Sequence, residues 1–150
     1  MPNRDYTTIA RNVPAGGERS ARMQTTVDVL WEALKDTGVS WAGFYIHEGR
    51  EELVLAARRD KPACSPIGLH GACGKVFTSR RPLVVRDVQD LGANYIACDP
   101  RDRSEVVLPL LEPDGNCWGV LDLDSHDVGS FGDDDVVGLL SVLRAAGLSS

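Results

Sequence analysis

The sequence has no long apolar run, no excess of basic residues and no closely spaced cysteine pair. No apolar stretch approaches ~18 residues, which argues against a membrane-spanning helix. Sixteen basic against twenty-two acidic side chains leave a net charge of −6, with no basic stripe. Nucleic acid and anionic membranes are therefore not expected as partners. Residues 1–20 contain no apolar core of the kind a secretory signal needs, so a cytoplasmic location is the expectation. No C-x2-C pair occurs, and His47, His70 and His126 fall at no ligand spacing with the four cysteines, so no metal site is expected. A chain of this length can bury about 70% of its unfolded surface and does not need bridges to fold. Permanent disulfides are therefore not expected in a reducing compartment, which leaves redox chemistry or inert burial for Cys64, Cys73, Cys98 and Cys117.

No internal repeat or low-complexity tract divides the 150 residues, which read as one domain. Residues 1–19 mix Asn, Pro, Gly and Arg without periodicity and are expected as a loose arm, with the folded domain over 20–150. In "SARMQTTVDVLWEALKDTG", Met23, Val27, Leu30, Trp31 and Leu34 recur at three- and four-residue steps. That spacing predicts a helix, capped by Ser20 and ended at Gly38. "SWAGFYIHE" and "ELVLAAR" predict an antiparallel hairpin across "EGRE". A long loop over residues 58–71 holds Cys64, and "ACGKVFTSRR" predicts a short helix with Cys73 near its start. "PLVVRDV" predicts a short strand led by Pro82. A second long loop, residues 89–103, holds Cys98. "SEVVLPLL" and "CWGVLDLDS" predict another hairpin, turned at Asp114-Gly115. "DDDVVGLLSVLRAAG" predicts a closing helix, with Asp133, Asp134 and Asp135 in its first turn and Val136, Val137, Leu140 and Leu143 on its apolar face. The sum is an α+β fold, a central antiparallel sheet of about five or six strands with helices on one side.

Loops longer than ~12–15 residues are uncommon in compact domains unless they carry function. Cys98 lies where the apolar pair Ile96-Ala97 meets the charged run "DPRDR". Asp99 raises a neighbouring thiol's pKa, whereas Arg101 and Arg103 lower it if they fold back. A small hydrophobe and a working thiol both remain open at this point. Cys64 in "KPAC" and Cys73 in "GACG" are the available second thiols. Cys117, opening a strand after a turn, reads as structural. Asp122 and Asp124 are two apart on a strand and share one face, with Leu121 and Leu123 on the other. Adjacent carboxylates cost stability unless a cation or donor lies between them. They mark either a solvated face or a pocket for an ammonium group or a shared proton. Glu105 opens the neighbouring strand, so three carboxyls can converge, and such proximity raises a pKa toward that of a proton donor. Trp41 and Tyr45 share a face of the first strand, as core or as pocket wall; Phe44 and Trp118 read as core.

In this order, "WAGFYI", "KPAC", "GACG", "YIACD", "RSEVVLPL" and "GVLDLDS" resemble the free methionine-R-sulfoxide reductase family, a single-domain branch of the GAF fold, from about Trp41 to about Phe131. The combination of "IACD", "RSE" and "LDLDS" is specific; a GAF fold alone is not, since most GAF domains are ligand-binding modules. The resemblance implies thiol-dependent reduction of free L-methionine-R-sulfoxide with no metal or organic cofactor. It implies Cys98 as nucleophile, Cys64 as the favoured resolving thiol and Cys73 as the alternative. It further implies Glu105, Asp122 and Asp124 as substrate-binding carboxylates, and Trp41 and Tyr45 as an aromatic wall. In the implied cycle Cys98 passes through a sulfenic acid to an intramolecular disulfide, which thioredoxin reduces. A homodimer formed through helices, frequent among GAF domains, is a further implied partner. Three positions depart from the family's usual pattern: Asp60 before "KPAC", His70 in a shortened loop, and Tyr95 before "IACD". The competing reading is a noncatalytic GAF module that binds a small molecule or senses redox state through Cys98 and Cys64. A purely structural dimerisation domain leaves the three carboxylates unexplained.

Overall fold

The computed structural model of the chain describes residues 3–95 and 98–150, so the apolar pair Ile96-Ala97 lies outside the described residues. The α-helices are α1 (Tyr6–Asn12), α2 (Arg19–Leu34), α3 (Ala72–Ser79) and α4 (Asp133–Ala145), and a 3-10 helix spans Val88–Asn94. The strands are β1 (Val39–His47), β2 (Glu52–Arg59), β3 (Ile67–Gly68), β4 (Leu83–Val85), β5 (Ser104–Leu111) and β6 (Cys117–Ser125). The strands form one antiparallel sheet in the order β3-β2-β1-β6-β5-β4. Both expected hairpins are present, and β1 pairs with β6 to join them at the sheet's centre.

Strand alternation sorts the side chains into two layers. Ala42 and Phe44 of β1, Val106 and Leu108 of β5, and Leu121 and Leu123 of β6 face α2 and α4. Val27, Leu30 and Leu34 of α2 and Leu139, Val142 and Leu143 of α4 close this core, all essentially inaccessible. Each such side chain contributes about 1.5–3 kcal/mol through burial. On the opposite face Trp41, Tyr45, Val107 and Val120 pack with Cys73 and Val76 of α3. Helices α1, α2 and α4 thus belong to one side, but the expectation that all helices do so fails for α3. The short α3 covers the other, because Ala72, Cys73 and Val76 give it an apolar stripe of its own.

Four local expectations are corrected. Residues 1–19 are not a loose arm: they contain α1, capped by Asp5, whose side chain accepts from the Thr8 backbone N–H at 3.0 Å. The Tyr6 ring occupies the space a side chain at Gly138 of α4 would need. Arg4 Nη1 and the Tyr6 hydroxyl both donate to Asp135 Oδ1, at 3.1 and 2.6 Å. These ties are tertiary, which is why local periodicity does not reveal them. Helix α2 begins at Arg19 with Glu18 at the N-cap, so Ser20 lies inside the first turn instead of capping it. In α4 the buried stripe is Asp135, Leu139, Val142 and Leu143, while Val137 is 65% exposed. Asp135 turns toward Arg4 and Tyr6, and the helix is rotated accordingly. Phe44 is core, but Trp118 is only partly buried, at the core's edge, under the Arg19 guanidinium 4.0 Å from its ring centroid. Among the described residues no helix is long and apolar enough to cross a membrane.

Candidate active site

The sheet register builds one wall of the site. Trp41 on β1 is paired with Asp124 on β6, which is paired with Glu105 on β5. The next row toward the sheet's interior is Gly43, Asp122 and Val107. Alternation puts all of these on the face opposite α2 and α4, beneath α3 and the two long loops. Trp41, Asp124, Glu105 and Asp122 border a cavity lined also by Tyr45, Cys73, Tyr95, Cys98 and Asp102. The Trp41 ring lies over Gly43, in space that any side chain there would fill. Trp41 Nε1 donates to the Lys61 carbonyl at 2.8 Å, and the Tyr45 hydroxyl donates to the Cys64 carbonyl at 2.8 Å. The two aromatics therefore form the cavity wall and also hold the loop that carries Cys64.

Cys64 and Cys98 are joined by a disulfide, with Cα atoms 5.5 Å apart across a separation of 34 residues. The bond brings the two long loops together over the cavity. Arg101 does not turn toward the sulfur: its Nε and Nη2 donate to the two carboxylate oxygens of Asp99, each at 3.1 Å. Arg101 and Lys61 together hold the Asp99 carboxyl well below the usual carboxylate range. Cys73 is free and buried in the first turn of α3. Burial, then the neighbouring Asp122 and Glu105, push its thiol pKa well up. Cys117 is also free; its Sγ donates to the Gly119 carbonyl at 3.2 Å, a local bond that fits the structural role expected of it.

The three carboxyls expected to converge do so. Burial raises the pKa of Glu105, and burial together with mutual repulsion raises those of Asp122 and Asp124 well above the ordinary value. Among the described residues, Asp122 Oδ1 is buried with no hydrogen-bond partner, and no Lys, Arg or His lines the cavity. Such a site can hold a small cation, or supply a proton to an oxygen that enters it. Sequence reasoning missed Asp102, which burial and the Asp99 charge push up to about 6. It also missed Lys61 and Gly43. The x-Gly-x step between Trp41 and Tyr45 was a legible signal for Gly43, since period two places it on their face. Of the three departures from the family pattern, Tyr95 lines the cavity, whereas Asp60 and His70 are exposed and do not.

Fold and site together define a single GAF-type domain with a disulfide-forming thiol pair above an acidic cavity. A family model for the GAF domain matches residues 18–149. The free methionine-R-sulfoxide reductase of Escherichia coli is 38% identical over 141 residues, covering 91% of this chain and 79% of its own. That of Saccharomyces cerevisiae is 36% identical over 108 residues, covering 69% of this chain, which spans only 59% of the yeast protein. Among solved structures, fRMsr of Staphylococcus aureus in its reduced form superposes with a TM-score of 0.86 at 30% identity, covering 96% of this chain and 94% of its own. The Neisseria meningitidis free methionine-R-sulfoxide reductase, in complex with its substrate, superposes with a TM-score of 0.82 at 36% identity, covering 94% and 83%. The chain belongs to the free methionine-R-sulfoxide reductase family.

Proposed function

We propose that the protein reduces free L-methionine-R-sulfoxide to methionine, with thiols as the source of electrons. The observation that carries this reading is the Cys64–Cys98 disulfide set over a cavity of buried carboxyls and an aromatic wall. The reaction needs a thiolate, a proton donor and a second thiol, and the site supplies each. The Cys98 thiolate attacks the sulfoxide sulfur, and a carboxylic acid among Glu105, Asp122 and Asp124 protonates the sulfoxide oxygen. The protonated oxygen passes to the Cys98 sulfur as the substrate's sulfur–oxygen bond and the transient sulfur–sulfur bond break, which releases methionine and leaves Cys98 as a sulfenic acid, two electrons more oxidised. The Cys64 thiol attacks that sulfur, water departs, and the disulfide forms. Thioredoxin in the cytoplasm then returns both cysteines to thiols by exchange.

Specificity for the free amino acid follows from the cation-seeking carboxyls. A substrate ammonium group among Glu105, Asp122 and Asp124 offsets the repulsion that raises their pKa values, so at least one ionises when it enters. The substrate methyl packs against Trp41 and Tyr45. A peptide-bound methionine sulfoxide lacks that ammonium. Cys64 is the better resolver, since it is already paired with Cys98 and Cys73 is buried with a strongly raised thiol pKa. No cofactor enters the scheme.

The test offers the R and S epimers separately to freshly reduced wild type and to Cys98→Ser, with dithiothreitol as reductant, and follows methionine. Turnover of the free R epimer alone, lost in Cys98→Ser, is the expected result. Absence of turnover by reduced wild type sinks the reading, and the same disulfide would then belong to a redox-sensing GAF module.

A further inference from the structure

We propose that Cys73, Glu105 and Asp122 form a binding site for one thiophilic divalent cation of zinc's size. Cys73 Sγ and one carboxyl oxygen from each acid lie within 4.8 Å of one another, and all three residues are buried. A tetrahedral zinc ion, with ligands at roughly 2.0–2.3 Å, would draw them to about 3.5 Å apart. Small side-chain rotations on a fixed backbone are enough for that. The ligands come from α3, β5 and β6, so no local sequence spacing announces them. The expectation of no metal site was drawn from local spacing and does not reach a site assembled by the sheet.

Two observations point to a cation here. The cavity brings Asp102 and Asp124 beside Glu105 and Asp122, with no basic side chain among its described lining residues. Asp122 Oδ1 is buried and makes no hydrogen bond, a condition that buried polar groups rarely tolerate unless something binds there. The thiol decides which cation. Oxygen-only ligands suit magnesium or calcium, whereas a cysteine sulfur selects zinc and its softer relatives. Cys73 takes no part in the disulfide, so the site persists when Cys64 and Cys98 are oxidised. An ion there occupies the space in which the reductase reading seats the substrate ammonium. Its effect on turnover rests on that reading; its binding does not.

The experiment titrates cadmium, a soft probe for a zinc site, into protein with the Cys64–Cys98 disulfide intact, and follows the ultraviolet charge-transfer band of a cadmium–thiolate bond. In Cys117→Ser, Cys73 is then the one thiol left. The expected result is one cadmium per chain in wild type and in Cys117→Ser, displaced by zinc. The band disappears in Cys73→Ser, and Asp122→Asn weakens binding by about tenfold or more. No band in Cys117→Ser, a band persisting in Cys73→Ser, or unchanged affinity in Asp122→Asn overturns the site. If Cys73→Ser does not fold, Cys117→Ser alone decides. Turnover assays on metal-free reduced protein test the reductase reading separately, so either claim can fail without the other.

Discussion

Lys61 pairs with Asp99 across the two loops that carry Cys64 and Cys98. Lys61 precedes Cys64 by three residues and Asp99 directly follows Cys98, so the ion pair fixes how the two sulfurs approach each other. The Lys61 side chain is 34% exposed, and ion pairs of that kind contribute about 0.2–1 kcal/mol. Replacing Lys61 with Met is therefore expected to slow closure of the disulfide by about two- to fivefold. Rapid thiol trapping after oxidation with one equivalent of peroxide measures it. Added salt should bring wild type toward the variant, because the pair is partly solvated. Equal closure rates at low salt would show that the pair does not position the loops.

The choice between resolving thiols is tested by Cys64→Ser. With Cys64 gone, Cys98 reaches the sulfenic acid but finds no partner within the reach the disulfide defines. One equivalent of methionine per chain should appear, followed by a stall in thioredoxin-supported turnover and a sulfenic acid trapped on Cys98 by a dimedone-type reagent. Sustained thioredoxin-supported turnover would transfer the resolving role to Cys73.

Gly43 is expected to act through Trp41. A methyl group at this position runs into the Trp41 ring, which cannot move away without leaving the cavity wall. Overpacking of this sort costs about 1–3 kcal/mol. Gly43→Ala should raise KM for the free R-sulfoxide by roughly tenfold, the factor 1.4 kcal/mol produces, with a smaller effect on kcat. The double variant Gly43→Ala with Trp41→Phe, which shrinks the ring, should recover part of the loss. An unchanged KM in Gly43→Ala would mean that the indole position does not matter to binding.

What the sequence made legible was mostly governed by short periods. Alternation on β1 and β6 put Trp41 with Tyr45 and Asp122 with Asp124 on common faces, because side-chain direction in a strand depends only on parity. It could not say that Trp41, Asp124 and Glu105 form a single row. That depends on the β1–β6 register, set by pairing between segments about eighty residues apart. The same limit explains α1, whose place is fixed by Arg4 and Tyr6 meeting Asp135 of α4. It explains Val137 too, which fits an apolar helical stripe on paper and faces solvent because Asp135 sets the rotation of α4. Pairing of Cys64 with Cys98 became an expectation only through the family resemblance.

The N-terminal tie supports a stability prediction. The Arg4 side chain is 4% exposed and that of Asp135 11%, and Asp135 also accepts from the Tyr6 hydroxyl and the Gly132 backbone N–H. Removing one member of a buried, hydrogen-bonded pair costs about 3–5 kcal/mol, because the other charge is left uncompensated. Asp135→Ala should lower Tm by roughly 6–15 °C in a chain of this size, while leaving the Cys64–Cys98 bond able to form. Calorimetry of the two proteins checks it; a change of a degree or less would mean that α1 contributes little to the fold.

Asp122 should make the protein less stable as pH rises. Burial and the neighbouring Asp124 and Glu105 raise its folded pKa well above the ordinary value of 3.8. Between the unfolded and folded values the native chain holds more protons than the unfolded one, so stability falls with rising pH across that window. Below about pH 4 both states are protonated and there is no penalty. Asp122→Asn removes the charge and gives Glu105 and Asp124 an amide donor in its place. Tm is expected to rise by a few degrees at pH 8 and to converge on wild type near pH 4. The same change should raise KM for the free sulfoxide if, as proposed, Asp122 is one of the groups that receives the ammonium. Gain in stability with loss of binding identifies carboxyls held together for a cation at the fold's expense. A Tm difference that is absent at pH 8, or that does not vary with pH, would show that Asp122 is not strained by its neighbours.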